Sequence, residues 1–252
     1  MMKENKYDDK HFFEQYRDMY RSQKGLEGAG EWHALKAMLP SFVGKTVLDL
    51  GCGFGWHCRY AMDKGAVSVT GVDISERMLN RAKEINQHER ISYVRQPIED
   101  IDLPGNSTDI VISSLAFHYI ASFDDICKKV AYCLRPNGHF VFSVEHPIFT
   151  AAGTQDWHYD AGGKILHWPV DNYFNEGPRE TVFLGEKVTK YHRTLATYVN
   201  GLISHGFSIL QIVEPLPDAT MLKALEGMEN EWRRPMMLLI SAVLRGSQPI
   251  FD

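Results

Sequence analysis

The chain has 252 residues, 44% hydrophobic and 23% charged, which excludes a disordered polymer and suits one large domain or a domain with an insertion. Its net charge of -5 and isoelectric point near 6.1 argue against a nucleic-acid partner, because such surfaces draw on a basic patch. The longest apolar run, residues 236–244, is too short to span a bilayer, so no membrane partner is expected. The start, Met1-Met2-Lys3-Glu4-Asn5-Lys6, lacks the apolar core of a signal peptide. Cys52, Cys58, Cys127 and Cys133 show no metal-ligand spacing and fit free thiols. A cytoplasmic location without a bound metal is the expectation.

Residues 9–22 are aromatic and charged and predict a helix, and 31–39 a second one stopped by Pro40. The joint between them, 25–30, is glycine-rich. Residues 1–40 together are expected to form a helical cover. Val47, Leu48 and Leu50 mark a first buried strand over 46–50, followed at once by Gly51, Gly53 and Gly55 and a helix from Trp56. A second strand over 68–72 ends at Asp73, and Ser75 is suited to cap a helix over 75–86. Strands follow at 91–95 and 108–113, then a helix over 124–134 ended by Pro136 and Gly138, then a strand over 139–144. Strands alternating with helices imply a parallel sheet with right-handed crossovers.

The rhythm then breaks. Residues 147–192 are rich in glycine, tryptophan, histidine and tyrosine without a long helical period. An insertion of this length predicts a functional element, such as a lid over a substrate site. A helix over 194–204, strands at 207–213 and 236–244, and a helix over 219–232 complete the chain.

Glycines at a strand-to-helix turn let a ligand approach the backbone closely and accept positive φ. In this frame Val47-Leu48-Asp49-Leu50-Gly51-Cys52-Gly53-Phe54-Gly55 resembles the first motif of class I S-adenosylmethionine (SAM) dependent methyltransferases, of the type 11/12 kind. The resemblance continues through Val72-Asp73, Asp109-Ile110-Val111 and Leu134-Arg135-Pro136-Asn137-Gly138-His139. It covers residues 30–146 well and the last third loosely. It implies an α/β, Rossmann-like fold: a seven-stranded, mostly parallel sheet with helices on both faces and a lid between strands five and six, all within one methyltransferase domain over 1–252. The implied activity is methyl transfer from SAM to an oxygen, nitrogen or carbon of a small molecule.

SAM needs close backbone approach, a carboxylate for the ribose diol and a slot for adenine. Gly51, Cys52, Gly53 and Gly55 match the first need. Asp73, at a strand end about 22 residues beyond Gly51, matches the second. Asp49 either organises the turn or receives the cofactor's amino group. Ile74 and Met78 are placed to pack on adenine or to join the core. Where relatives carry an adenine-binding aspartate this chain has Pro97, which offers neither that side chain nor an N–H. Gln96 or Glu99 and the Ile98 backbone are left to substitute. Ser114, Leu115 and Ala116 follow strand four, at the carboxyl edge where such sheets bind ligands.

Methyl transfer is chiefly a matter of alignment, and a base is needed only if the nucleophile arrives protonated. His118 and Tyr119 follow strand four, and Glu145 and His146 follow strand five. His118 and His146 are the candidate bases. The aromatic insertion, with Phe149, Trp157, Tyr159, Trp168, Tyr173 and Phe174, suits a small, partly apolar acceptor. His158, His167 and His192 have no recognisable metal spacing. The competing readings are an NAD(P)-dependent oxidoreductase, whose Gly-x-Gly-x-x-Gly fingerprint would put glycine where Trp56 stands, and a non-catalytic SAM-binding protein. Neither the acceptor nor the oligomeric state is fixed by the sequence.

Overall fold

The computed structural model describes residues 5–217, 219–224 and 226–246. In chain order its strands are β1 (Thr46–Leu50), β2 (Ser68–Asp73), β3 (Ile91–Arg95), β4 (Thr108–Ser114), β5 (Leu134–Glu145), β6 (His158–Tyr159), β7 (Ile165–His167), β8 (Gly177–Phe183), β9 (Glu186–His192), β10 (Phe207–Val213) and β11 (Met237–Leu244). The helices are α1 (Lys10–Asp18), α2 (Tyr20–Lys24), α3 (Trp32–Met38), α4 (Trp56–Asp63), α5 (Glu76–Ile85), α6 (Phe123–Cys133), α7 (Pro147–Thr150), α8 (Leu195–Ser204) and α9 (Ala219–Ala224).

The main sheet has the order β10-β11-β5-β4-β1-β2-β3. β1 to β5 pair in parallel, whereas β11 runs antiparallel to both β5 and β10. This is a Rossmann-like, mostly parallel sheet, and alternation along its strands builds two faces. Leu48, Leu50, Val111, Phe140, Phe142 and Ile240 bury one face beneath α6 and α8. Val47, Val69, Ile110 and Ile112 bury the other against α4 and α5. Trp32, Leu35 and Met38 of α3 extend that second layer over Val141 and Leu239. The chain runs outward from β1 to β3 and then crosses to β4. That reversal opens a crevice at the carboxyl ends of β1 and β4, where open α/β sheets bind ligands.

Several element boundaries differ from expectation. The helix expected over 9–22 breaks at Met19, whose ψ of 147° is extended. β5 starts at Leu134 instead of residue 139: its pairing with β4 jumps from Thr108↔Leu134 to Ile110↔His139, and Asn137 takes φ 64° in the bulge between. The 219–232 helix is also interrupted. It crosses residue 225, outside the described residues, and resumes after Gly227 (φ 77°) as a 3-10 turn over Met228–Arg233. The insertion contains two hairpins. β8 and β9 turn through Leu184 and Gly185, both at positive φ, the geometry of a tight two-residue hairpin. Leu-Gly lacks the Asn-Gly signature, which is why the alternating strands beside it were not legible.

Candidate active site

The glycine turn consumes its own hydrogen-bond donors. Gly51 and Cys52 N–H donate to Val72 O at 2.8 and 3.0 Å, Gly55 N–H to Cys52 O at 2.8 Å, and Gly53 N–H to Asp73 Oδ2 at 2.9 Å. Asp73 Oδ1 accepts from Ser75 N–H at 2.9 Å, so the carboxylate is fixed from both sides at the end of β2. Burial pushes the Asp73 carboxyl up to about 6 despite those backbone donors, with Asp8 adding to the rise. Ser75 itself caps α5, accepting from Met78 N–H at 3.2 Å.

A cavity of about 450 Å³ opens over this turn. The structure brings Gly51, Gly53, Asp73, Ile74, Met78, Ile98, Glu99, Ser114 and His118 to its wall. Cys52 lines a smaller adjoining cavity of about 60 Å³, shared with Gly51, Gly53 and Ser114. Leu115, between Ser114 and Ala116, is held at φ 52° by bonds from its N–H to Ser143 O (2.9 Å) and Ser143 Oγ (3.1 Å). A leucine in that conformation is backbone strain located at the crevice.

Three expected site residues are elsewhere. Gly55 caps α4 at φ 75°, and a Cβ there would overlap the Tyr93 hydroxyl, so packing requires this glycine. Asp49 lies beneath the turn, accepting from Cys58 Sγ at 3.3 Å while its Oδ1 has no partner. His146 caps α7, its Nδ1 accepting from Ile148 N–H at 3.0 Å, and its Nε2 stands 2.8 Å from Glu214 Oε1. Its ring is committed to holding the start of the insertion and is not among the cavity's lining residues.

Burial pushes the Asp49 carboxyl up to about 7, with Asp73 adding to the rise. The folded protein therefore keeps a proton that the unfolded chain releases near 3.8. Asp49 thus costs stability progressively as pH rises from 3.8 toward about 7, by at most about 1.4 kcal/mol per pH unit. Thermal melts of Asp49→Asn across this range are expected to show a growing gain over wild type as pH rises. A constant difference would contradict it.

The amino-terminal segment supplies residues that the sequence did not single out. Asp8 Oδ1 accepts from Ser75 Oγ (2.6 Å) and Arg77 N–H (3.1 Å), which ties the segment to the start of α5. Tyr7 reaches Tyr119 (hydroxyls 3.4 Å apart) and packs edge-on against Phe12 and Tyr16. Arg21 lines both cavities and pairs at 3.3 Å with Glu31, which is 1% exposed and accepts from Ser114 Oγ at 3.0 Å. Burial opposes the Glu31 charge, yet Arg21 and Ser114 hold its carboxyl below the usual range. The insertion adds Phe149, Gln155, Val182, Phe183 and Lys190 to the far wall. The only sequence signal for Lys190 is its alternation with Val188 and His192 on the buried side of β9.

A dinucleotide site needs free backbone N–H groups at the turn for its pyrophosphate. Here the N–H groups of Gly51, Cys52, Gly53 and Gly55 are already bound within the protein. SAM carries no phosphate, and its ribose diol and carboxylate match Asp73 and Arg21. A methyltransferase domain model matches residues 48–142, from β1 into β5. A solved chain from Listeria monocytogenes, assigned to the SAM-dependent methyltransferases, is 57% identical, with a TM-score of 0.83 over 88% of this chain and 99% of that one. A SAM-dependent methyltransferase from Mesorhizobium loti is 45% identical, with a TM-score of 0.80 over 87% of this chain and all of that one (100%). The chain belongs to the class I SAM-dependent methyltransferases. An uncharacterized Haemophilus influenzae protein is 34% identical over 94% of this methyltransferase and 95% of its own length. SAM is the cofactor, and the NAD(P) reading is set aside. In this methyltransferase Asp73 would hold the ribose, Arg21 the carboxylate tail, and Met78, Ile74 and Ile98 the adenine edge of the cavity.

Proposed function

We propose that this methyltransferase acts on a small molecule enclosed between the glycine turn and two covers, residues 5–40 and the 147–192 insertion. The observation that carries this reading is the shared cavity. The Asp73 half continues directly into a half lined by Tyr7, His118, Tyr119, Glu145, Phe149, Phe183 and Lys190. Its volume, about 450 Å³, lies within the roughly 300–1,000 Å³ of small-molecule sites. Walls drawn from both covers favour an acceptor that is fully surrounded, with the insertion acting as a lid. The four cysteines are free and buried, in keeping with a cytoplasmic enzyme.

SAM, when bound, supplies an activated methyl group on sulfur. The chain's work is then to align the acceptor and exclude water. His118 is 3% exposed, and burial pushes its imidazole down to about 4. Its Nδ1 accepts from Glu145 N–H at 3.4 Å, which leaves the proton of the neutral ring on Nε2. His118 thereby acts as a hydrogen-bond donor that orients the acceptor, instead of the base expected from sequence. His146 has a structural role.

The test uses SAM tritiated on the methyl group with a cell extract separated into low-mass, protein and RNA fractions. Label is expected in the low-mass fraction, and label confined to protein or RNA would sink the reading. Once an acceptor is in hand, His118→Ala is expected to lower kcat/KM about tenfold or more, as for a lost orienting hydrogen bond. His146→Ala is expected to keep turnover and lose about 1 kcal/mol of stability, the usual worth of a cap.

A further inference from the structure

Lys190 is 3% exposed and lines the acceptor half of the cavity. Its Nζ is 2.5 Å from Glu145 Oε1 and donates to Gln155 Oε1 at 2.9 Å. Gln155 Nε2 donates to Glu145 Oε2 at 2.6 Å, which closes a triangle. The ammonium also stands over the rings of Phe183 (5.3 Å) and Tyr119 (5.9 Å). A cationic acceptor would need a free carboxylate or free ring faces. Here the Glu145 charge is already matched by the Lys190 ammonium, and the two ring faces already hold the chain's own cation. What stays open is donor capacity: the third N–H of Lys190, the second N–H of Gln155 and the Nε2–H of His118. Among the described residues at this end, neither the histidine nor the carboxylate is placed to remove a proton, since His118 Nδ1 is engaged and Glu145 is an ion-paired carboxylate.

We propose that the methyl acceptor is a small carboxylic acid with an apolar or aromatic body, bound through its carboxylate to Lys190 and methylated on oxygen. This rests on the small-molecule reading above. The body lies among Tyr7, Phe149, Phe183 and Met237. One carboxylate oxygen forms the new bond to the methyl carbon as that carbon's bond to sulfur breaks. The electron pair leaves with the neutral thioether, and no proton changes place. A carboxylate suits a site without a base because it is already ionised at neutral pH. Glu145 is the buried ammonium's counter-ion when no acceptor is present, and the acceptor carboxylate becomes its second one.

The experiment is calorimetry on protein saturated with S-adenosylhomocysteine, using benzoate, phenylacetate and hexanoate against benzylamine, phenethylamine and hexylamine. Carboxylates are expected to bind wild type and amines not to bind. Lys190→Met is expected to weaken carboxylates about tenfold or more, and Glu145→Gln to tighten them by freeing the ammonium. Should Lys190→Met fold poorly, the Lys190→Met/Glu145→Gln pair removes both charges and is expected to show the same loss. S-adenosylhomocysteine affinity is expected to stay at the wild-type value in all of them. Binding of amines, no carboxylate binding to wild type, or unchanged carboxylate affinity without Lys190 would overturn the proposal. The tritium assay separates the two levels. Protein or RNA product sinks the small-molecule reading, whereas a small product that releases no volatile methanol in mild base sinks only the carboxylate.

Discussion

Asp73→Ala is expected to reduce SAM affinity by about two orders of magnitude or more and to leave the sheet folded. Among the described residues, the carboxylate is the one acidic group that both faces the cavity and is fixed by backbone donors on each side, Gly53 at 2.9 Å and Ser75 at 2.9 Å. Hydrogen bonds to a charged group contribute roughly 1.5–3 kcal/mol each, and the ribose diol would make two. The alanine variant also frees Gly53 N–H, which loosens the turn. Asp73→Asn separates these effects: one amide oxygen still accepts from backbone while the second acceptor is lost, so an intermediate affinity is expected. The same carboxyl gives a pH signature. With its ligand-free value near 6, SAM affinity is expected to fall as pH drops through that value, because the protonated form accepts poorly. Titration calorimetry over pH tests both points, and wild-type affinity in Asp73→Ala would remove Asp73 from the site.

Gly51→Ala is expected to have a comparable effect on binding and a large one on stability. Gly51 takes φ 77°, where an L side chain costs about 1–2 kcal/mol. A Cβ there would also overlap the Cβ of Ala116, and both atoms are fixed to backbone. Overpacking of this kind costs about 1–3 kcal/mol more and displaces either the turn or the loop after β4. Both line the cavity. Ala116→Gly removes the opposing atom, so the double variant is expected to recover the overlap share of the lost stability and keep the φ share. Denaturant melts of the two single variants and the double one give the coupling directly, and a coupling of zero would show that the two residues do not meet.

How much was legible follows from the range of each interaction. The glycine turn, Asp73, the Ser75 cap and the alternation of strands with helices are local: a few consecutive residues carry the pattern, and the geometry follows. Gly55 shows the limit of local reading. It belongs to the motif, but the atom that requires it to be glycine is the Tyr93 hydroxyl on β3. His146 shows it again, since its position after β5 predicted a place in the cavity, whereas the helix it caps and the distant Glu214 claim its ring. The cavity's two basic residues, Arg21 and Lys190, were the least legible. Arg21 finds Glu31 across a glycine-rich joint, and Glu145 finds Lys190 45 positions away, on the second strand of the second hairpin.

The sequence by itself determined the alternation of strands with helices, the carboxylate at the end of β2 and the motif whose family resemblance implied the sheet and the cofactor, because each rests on residues adjacent in the chain or on a simple period. The tertiary structure alone decided which groups line the cavity and which charge state their surroundings favour. Burial lowers His118, an ion pair fixes Glu145 as a carboxylate, and a hairpin without a turn signature carries Lys190 to the wall. Those outcomes depend on solvent exclusion and on charges meeting through space, and neither is encoded in the spacing of residues along the chain.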